Sequence, residues 1–135
     1  MSKHAEITVS NFQKSLITNI SWGHIEVKSD DRTYRFKDCK LGLGNALEWD
    51  WTITGTRHQP GIQPTDIEDI LAEDLDFMVL SRGMQLMLHV CPETEELLNS
   101  RNIEYYIGQT QLAVNLFNSL VQKGRKVAGV FHSTC

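Results

Sequence analysis

Cysteine and proline are scarce in this sequence, with three of each among 135 residues. Cys39, Cys91 and Cys135 are odd in number and far apart, which is typical of reduced thiols rather than of disulfides or a zinc site. The apolar runs are too short to cross a bilayer. The first 15 residues lack the apolar core of a signal peptide and the arginines of a transit peptide. We therefore expect a cytoplasmic protein with no membrane segment.

Basic residues are also fewer than acidic ones. Lys and Arg number 13 against 17 Asp and Glu, which gives a net charge of −4 and a pI near 5.7. Proteins that bind nucleic acids by neutralising phosphates carry a basic stripe, and this sequence has none, so we expect no nucleic-acid partner. The length fits one domain, predicted over residues 16–135, behind a flexible N-terminal tail of residues 1–15.

The C-terminal half alternates strand and helix patterns. Short β-branched and aromatic runs predict strands over Phe77–Ser81, Ile103–Ile107 and Val127–Phe131. Helical spacing of apolar residues predicts helices over Pro92–Arg101 and Gln111–Lys123. This order predicts an α/β fold in which three parallel strands are joined by right-handed crossovers.

The last predicted helix has recognisable ends and an apolar face. Thr110 is a suitable N-cap, and Gly124 is suited to the left-handed position that ends a helix. The residues expected to face the sheet are Leu112, Leu116, Leu120 and Val121.

The N-terminal half shows short alternating runs, which predict an antiparallel hairpin or meander with one wet face. The stretch Glu48–Thr54 also alternates, which predicts a strand with Trp49, Trp51 and Ile53 on its core face. A platform for stacking a ligand is the less favoured interpretation, because such platforms accompany basic grooves. A Gly- and Pro-rich loop follows, and Thr65 with Glu68 predicts a capping box that starts the next helix.

Polar residues gather at the predicted carboxyl ends of the parallel strands, where ligands of open α/β sheets tend to bind. Helix N-termini also point their free N–H groups toward this edge. These features predict a small-anion site. The alternative is that these residues bind nothing and are polar only because strand ends face water. The candidate residues are Arg57, His58, Arg82, His132 and Ser133.

The sequence offers no convincing catalytic set. Cys135 and His132 would point to opposite sides of a continuing strand, and Ser133 has no assignable base or nucleophile elbow. The acidic run from Asp66 to Asp76 is more typical of a solvated helix face than of a metal site. We therefore predict no catalytic residues, no metal and no cofactor.

Several short motifs, in order along the chain, resemble those of the adipogenesis-associated Mth domain family. They are Ser21-Trp22-Gly23, Lys37-Asp38-Cys39, Trp49-Asp50-Trp51, the loop from Gly55 to Pro64, Arg82-Gly83-Met84, and the segment from Gly129 to Cys135. The resemblance covers nearly everything but the tail. It implies a single Mth-type domain with three layers, a mixed central sheet and a smaller antiparallel sheet.

The resemblance also implies a cytoplasmic protein linked to preadipocyte differentiation, with no established enzymatic activity. Our first hypothesis is therefore a non-enzymatic interaction or regulatory protein with an unidentified protein partner. The alternative is a small-anion-binding protein or an enzyme that uses the Arg82 and His132 edge. A concave, positively charged edge would favour the alternative, and an apolar patch around Met84 and Met87 would favour a partner surface.

Overall fold

The computed structural model describes residues 15–135, in which eight strands form two sheets. The three strands of the smaller sheet are β1 (Ser15–Ser21), β2 (His24–Ser29) and β3 (Arg32–Phe36). The five strands of the larger sheet are β4 (Asp38–Gly42), β5 (Asn45–Glu48), β6 (Phe77–Ser81), β7 (Glu104–Gly108) and β8 (Val127–His132). Residues 1–14 of the predicted tail lie outside the described part, and Ser15 begins β1.

In this described range, four α-helices and one 3₁₀ turn connect the strands. They are α1 (Trp51–Thr54), α2 (Pro64–Ile67), the 3₁₀ turn Glu68–Ile70, α3 (Pro92–Ser100) and α4 (Thr110–Gln122). Within residues 15–135, none of these helices has the length and apolar character needed to span a bilayer.

The smaller sheet is the predicted antiparallel meander, in the order β1-β2-β3. Ile25 and Val27 of β2 are fully buried, whereas Glu26 between them pairs with Arg35 of β3 at 3.3 Å. This alternation gives the sheet one face for the core and one for water, as a period of two residues requires.

The larger sheet has the order β5-β4-β8-β6-β7. β6 is parallel to both β7 and β8, which confirms the predicted parallel half, and β4 is antiparallel to β8. From β6 the chain moves outward to β7 and then returns past β6 to β8. Right-handed crossovers in opposite directions place α3 and α4 on opposite faces of the sheet, so three layers result.

Each face of the larger sheet has its own apolar core. Val79 and Phe131 point toward α4 and the smaller sheet, where they meet Ile25 and Phe117. The intervening residues Met78, Leu80, Ala128 and Val130 point the other way, toward α2, α3 and the 3₁₀ turn. Because β6 and β8 are covered on both sides, their sequences are continuous apolar runs and do not alternate between apolar and polar residues.

The prediction of a strand over Glu48–Thr54 is wrong beyond Glu48. The Asp50 carboxylate accepts hydrogen bonds from the Thr52 N–H at 2.9 Å and the Thr52 hydroxyl at 2.6 Å, which starts α1. N-capping therefore overrides the alternating pattern. Trp49 is buried, but Ile53 is 80% exposed rather than part of a core face.

The predicted Thr65 and Glu68 capping box is also wrong. α2 begins at Pro64, and the Asp66 carboxylate accepts the backbone N–H of Gln63 at 2.8 Å. The start signal thus lies two residues earlier, where proline suits the first helical turn. The helix ends at Ile67 and gives way to the 3₁₀ turn.

Two predicted details of the last helix need correction. Gln109, not Thr110, is the N-cap, because its side-chain oxygen accepts the N–H of Leu112 at 3.2 Å. Leu112 does not face the sheet but is 57% exposed. Gly124 has the expected positive φ of 78°. Leu120 and Val121 are buried as predicted, together with Ala113, Val114 and Phe117, and Leu116 packs partly buried against the same core.

Asn118 of α4 ties the smaller sheet to the rest of the domain. Its side-chain oxygen accepts the N–H of Ile17 at 2.9 Å, and its amide donates to the Ile17 carbonyl at 2.8 Å. Among residues 15–135, Ile17 lies on the edge strand β1, so these two bonds satisfy backbone groups that no strand of this range reaches.

We expect Asn118→Ala to lower the free energy of unfolding by about 2 kcal/mol, because both Ile17 backbone groups lose their partner. Urea denaturation measures the change. Asn115→Ala, at an exposed position three residues earlier on α4, is the matched control and should change stability by less than about 0.5 kcal/mol. Equal changes in the free energy of unfolding for the two substitutions would show that the Asn118 hydrogen bonds contribute nothing to stability.

A candidate site at the carboxyl edge of the larger sheet

Hydrogen bonds of the Ser81 and Thr110 hydroxyl groups connect the ends of the parallel strands. The Ser81 Oγ accepts the His132 N–H at 2.8 Å and lies 2.9 Å from the Thr110 Oγ1. The Thr110 hydroxyl also donates to the His132 carbonyl at 2.7 Å. These bonds join the ends of β6 and β8 to the start of α4, so the predicted edge is a rigid one.

Asp38, at the start of β4, fixes the end of β8. Its Oδ2 lies 3.0 Å from Nδ1 of His132, and its Oδ1 accepts the Ser133 N–H at 2.9 Å. The Ser133 hydroxyl donates to the Lys37 carbonyl. Both His132 and Ser133 are buried. The Asp38 carboxylate holds the Nδ1 side of the imidazole, which leaves the Nε2 side of His132 toward the site.

Three aromatic rings and one thiol meet beside this aspartate. The His58 and His132 ring centroids are 5.6 Å apart, and Trp51 packs on them at 5.2 and 4.8 Å respectively. The Cys135 Sγ lies 3.2 Å from Nε2 of His58. The indole N–H of Trp51 is buried without a hydrogen-bond partner among the described residues. We call Trp51, His58, His132 and Cys135 the imidazole–thiol cluster.

The loop that carries His58 is anchored by one fully buried carboxylate, Asp66. It accepts hydrogen bonds from the Trp49 indole at 3.0 Å, the Thr54 hydroxyl at 2.8 Å and the Thr56 hydroxyl at 2.6 Å, besides the Gln63 N–H. A buried charge is tolerated when it is hydrogen-bonded on all sides. The acidic residue that the sequence assigned to a solvated face is therefore an internal anchor.

The two arginines of the predicted anion site lie apart from the cluster. The Arg82 guanidinium donates to the carbonyls of Leu88 and Leu86, each at 2.7 Å. Arg57 is exposed on the loop. Of the five predicted residues, the structure brings His58 and His132 together, places Ser133 beneath them, and directs Arg82 to the neighbouring loop of residues 83–88.

The cluster opens onto a cleft of about 400 Å³. Hydrogen bonds from the Thr52 hydroxyl and N–H lower the pKa of Asp50, so this carboxylate is ionised at neutral pH. With one lysine against three carboxylates in the lining, the cleft carries more negative than positive charge. The residues that line it are Lys37, Asp38, Glu48, Trp49, Asp50, Trp51, Thr52, His58, His132 and Thr134.

Sequence reasoning missed Asp38, Trp51 and Cys135 as neighbours of the histidines. Asp38 and Trp51 belong to motifs that carry the family resemblance. The sequence therefore marked both residues but did not indicate what either one does. Cys135 was set aside on the assumption that the strand continues, whereas β8 ends at His132. The segment of residues 133–135 beyond it places the Cys135 thiol beside His58.

The three thiols should differ sharply in reactivity. Burial raises the pKa of the Cys39 thiol strongly, and burial followed by the charges of Glu93 and Asp66 raises the pKa of Cys91. Because the thiolate is the reactive form, a raised pKa slows alkylation near neutral pH. Cys135 is the half-exposed thiol of the three. We expect iodoacetamide at pH 8 to modify Cys135 at least about tenfold faster than Cys39, as measured by mass spectrometry.

Denaturant provides the control for this prediction. In unfolding concentrations of guanidinium the three rates should converge, since burial no longer separates the thiols. Labelling of Cys39 in native buffer at the Cys135 rate would contradict the buried position of β4.

The fold and the site together define the class of protein: a two-sheet α/β domain with a polar cleft at the carboxyl edge of a mixed sheet. Residues 17–132 match a family described as "Protein of unknown function (DUF498/DUF598)". The chain therefore belongs to this family.

Solved structures with the same fold come from distant organisms. A conserved hypothetical protein from Pyrococcus horikoshii OT3 is 24% identical with a TM-score of 0.71, and the match covers 88% of this chain and 98% of that one. A Bartonella henselae protein described as an outer membrane protein is 21% identical with a TM-score of 0.71, covering 90% and 97%. A Bordetella pertussis protein described as a Mth938-like domain is 17% identical with a TM-score of 0.66, covering 88% and 85%. At these identities the likeness establishes the fold alone.

Proposed function

We propose that the protein is a non-enzymatic interaction or regulatory module that binds a protein partner through the loop of residues 83–88. The observation that carries this proposal is Leu86, whose φ is 62° and whose side chain is 43% exposed. Leucine in the left-handed region costs about 1 to 2 kcal/mol. Strain of this kind collects at functional sites, where the surroundings enforce it.

Arg82 enforces the strained conformation. Its guanidinium donates to the carbonyl of Leu86 itself and to that of Leu88, two residues later. The N–H of Met87 donates to the Cys135 carbonyl at 2.8 Å, which fixes the loop from the other side. The loop is thus built to hold an exposed leucine in place. In this interpretation Arg82 supports a partner surface rather than contacting an anion.

Other exposed apolar side chains lie at the same end of the molecule. Met87 is 53% exposed and follows Leu86 in the loop, and Leu112 is exposed on the first turn of α4. Gln109 connects the two segments, since it caps Leu112 and its amide donates to the Met84 carbonyl at 3.4 Å. Exposed apolar groups gathered in this way mark interaction sites, so we expect a partner that presents an apolar surface of its own.

The cellular setting rests on the family resemblance. A cytoplasmic location and a link to preadipocyte differentiation are the parts of the proposal that the Mth-domain motifs support. Depletion of the protein in preadipocytes, followed by lipid staining after hormonal induction, tests the link. Unchanged differentiation would remove this part of the proposal and leave the partner surface to be judged separately.

The partner surface is tested by the double substitution Leu86→Asn and Met87→Asn. Asparagine tolerates the left-handed region, so the variant should fold with unchanged or slightly higher stability. Affinity capture with the native protein and the variant, compared by quantitative mass spectrometry, should show one partner reduced at least about tenfold, the equivalent of about 1.4 kcal/mol.

Ile53→Asn is the matched control, because it removes an apolar side chain that is 80% exposed on α1, outside the loop. The partner should bind this variant as it binds the native protein. A partner set that is identical for the native protein, the double variant and the control would overturn the proposed surface.

A small-anion-binding protein is the second candidate. The Trp51 N–H favours it, because this buried donor has no acceptor within residues 15–135 and both histidines lie beside the indole. The surplus of carboxylates in the cleft works against it. Inorganic phosphate at millimolar concentration should shift the His58 and His132 imidazole NMR signals if the site binds anions. Unchanged signals up to about 10 mM, a binding energy under about 3 kcal/mol, would exclude it.

A further inference from the structure

We propose that His58, His132 and Cys135 form a binding site for one Zn²⁺ ion. One nitrogen of each imidazole and the Cys135 Sγ lie within 4.8 Å of one another. Imidazole and thiolate are the ligands that zinc prefers in proteins. The site involves side chains other than those of the partner surface, and the two share only the Cys135 backbone, whose carbonyl accepts the Met87 N–H.

The distances suit a tetrahedral ion. Ligands about 2.3 Å (sulfur) and 2.0 Å (nitrogen) from a tetrahedral zinc ion are about 3.5 Å apart. The Cys135 Sγ and the His58 Nε2 are 3.2 Å apart. The remaining separations close by rotation of the side chains of His58 and Cys135, which are only half buried. His132, the buried ligand, stays where the sheet holds it.

The surroundings of His132 are those of a metal ligand. Metal-binding histidines commonly donate the other ring N–H to a carboxylate, which fixes the tautomer and makes the free nitrogen a better ligand. Asp38 provides this partner at 3.0 Å from Nδ1, in a buried pair. Asp38 is fixed in turn by the Ser133 N–H. This arrangement leaves Nε2 of His132 for the ion, which would replace the Thr134 hydroxyl that lies 3.4 Å from this nitrogen.

Charge and access also favour a cation. The cleft that leads to the histidines includes Asp38, Glu48 and the ionised Asp50. Trp51 packs on both imidazoles and forms an apolar wall beside them. Three protein ligands leave one coordination position for water or a small ligand from the cleft. An apolar wall beside the ion is typical of sites that control solvent access.

The direct test is a zinc titration of the metal-stripped full-length protein, in competition with a chromophoric chelator. We expect one ion per chain with a dissociation constant below about 1 μM. Cys135→Ser should weaken binding at least about a hundredfold, and Asp38→Asn about ten- to a hundredfold through loss of the carboxylate behind His132. Cys91→Ser and His24→Gln are matched controls outside the site and should bind as the native protein does.

Cobalt provides a second readout that does not depend on competition with a chelator. Co²⁺ added to the native protein should give a thiolate-to-metal charge-transfer band, which Cys135→Ser abolishes and Cys91→Ser retains. Zinc should also raise the melting temperature of the native protein and the controls but not that of Cys135→Ser. Substoichiometric binding, or binding that Cys135→Ser leaves unchanged, would overturn the proposal.

Discussion

Asp66→Ala is expected to lower the free energy of unfolding by about 4 kcal/mol, a large share of the stability of a domain of this size. The substitution removes a fully buried carboxylate that accepts four hydrogen bonds. The Trp49 indole then remains buried without its acceptor, and the Thr56 hydroxyl keeps only the Thr54 hydroxyl, 2.7 Å away, as a possible acceptor. Urea denaturation followed by tryptophan fluorescence gives the change.

The effect of Asp66→Ala should extend to the site. Asp66 anchors the loop that carries His58, so amide hydrogen exchange over residues 55–63 should accelerate in the variant. Glu73→Ala, which removes an exposed carboxylate from the same acidic run, is the control and should cost less than about 0.5 kcal/mol. A loss below about 1 kcal/mol for Asp66→Ala would mean that the carboxylate is not the anchor described above.

Gly83→Ala should produce the second large effect, a loss of about 3 kcal/mol or more. Gly83 has a φ of 96°, and an added Cβ would lie 2.5 Å from the carbonyl carbon of Cys135 and 2.9 Å from the Cδ2 of His132. Left-handed strain contributes about 1 to 2 kcal/mol, and displacement of the packed backbone contributes a similar amount. Thermal and urea denaturation measure the total.

Gly124→Ala separates the two contributions. Gly124 also has a positive φ, of 78°, but an added Cβ would meet no atom of the described residues within 4 Å. We expect this variant to lose only the conformational part, about 1 to 2 kcal/mol. Gly83→Ala should in addition move Cys135 and so change its alkylation rate, which Gly124→Ala should leave alone. Equal losses in the two variants would show that Gly83 does not contact the C-terminal segment.

The two variants matter because both proposals rely on the same few residues. Cys135 binds the loop of residues 83–88 through its backbone carbonyl and approaches His58 through its thiol. Displacement of Cys135 should therefore disturb the partner surface and the proposed zinc site together. The substitutions of Leu86 and Met87 act on the first alone, and Cys135→Ser acts on the second alone.

Local sequence patterns were reliable where one interaction dominates. The parallel strands Phe77–Ser81 and Val127–His132 are apolar on both faces, which is typical of strands covered on both sides of a sheet. The patterns were wrong where a cap competes with periodicity. Asp50 turns Trp51 into the first residue of a helix, although Trp49, Trp51 and Ile53 alternate as a strand would.

The sequence by itself determined the order of the C-terminal strands and helices, the direction of those strands and the edge at which their polar ends collect, because apolar periodicity is a local property of the chain. Only the tertiary structure decided which polar groups meet there. Asp38, His58 and Cys135 are far apart in sequence, and their proximity to His132 depends on sheet order, on the loop that Asp66 anchors and on the path of residues 133–135 after β8. Contacts of this kind produce no periodic pattern in the sequence, because each depends on packing between different helices, strands and loops rather than within one of them.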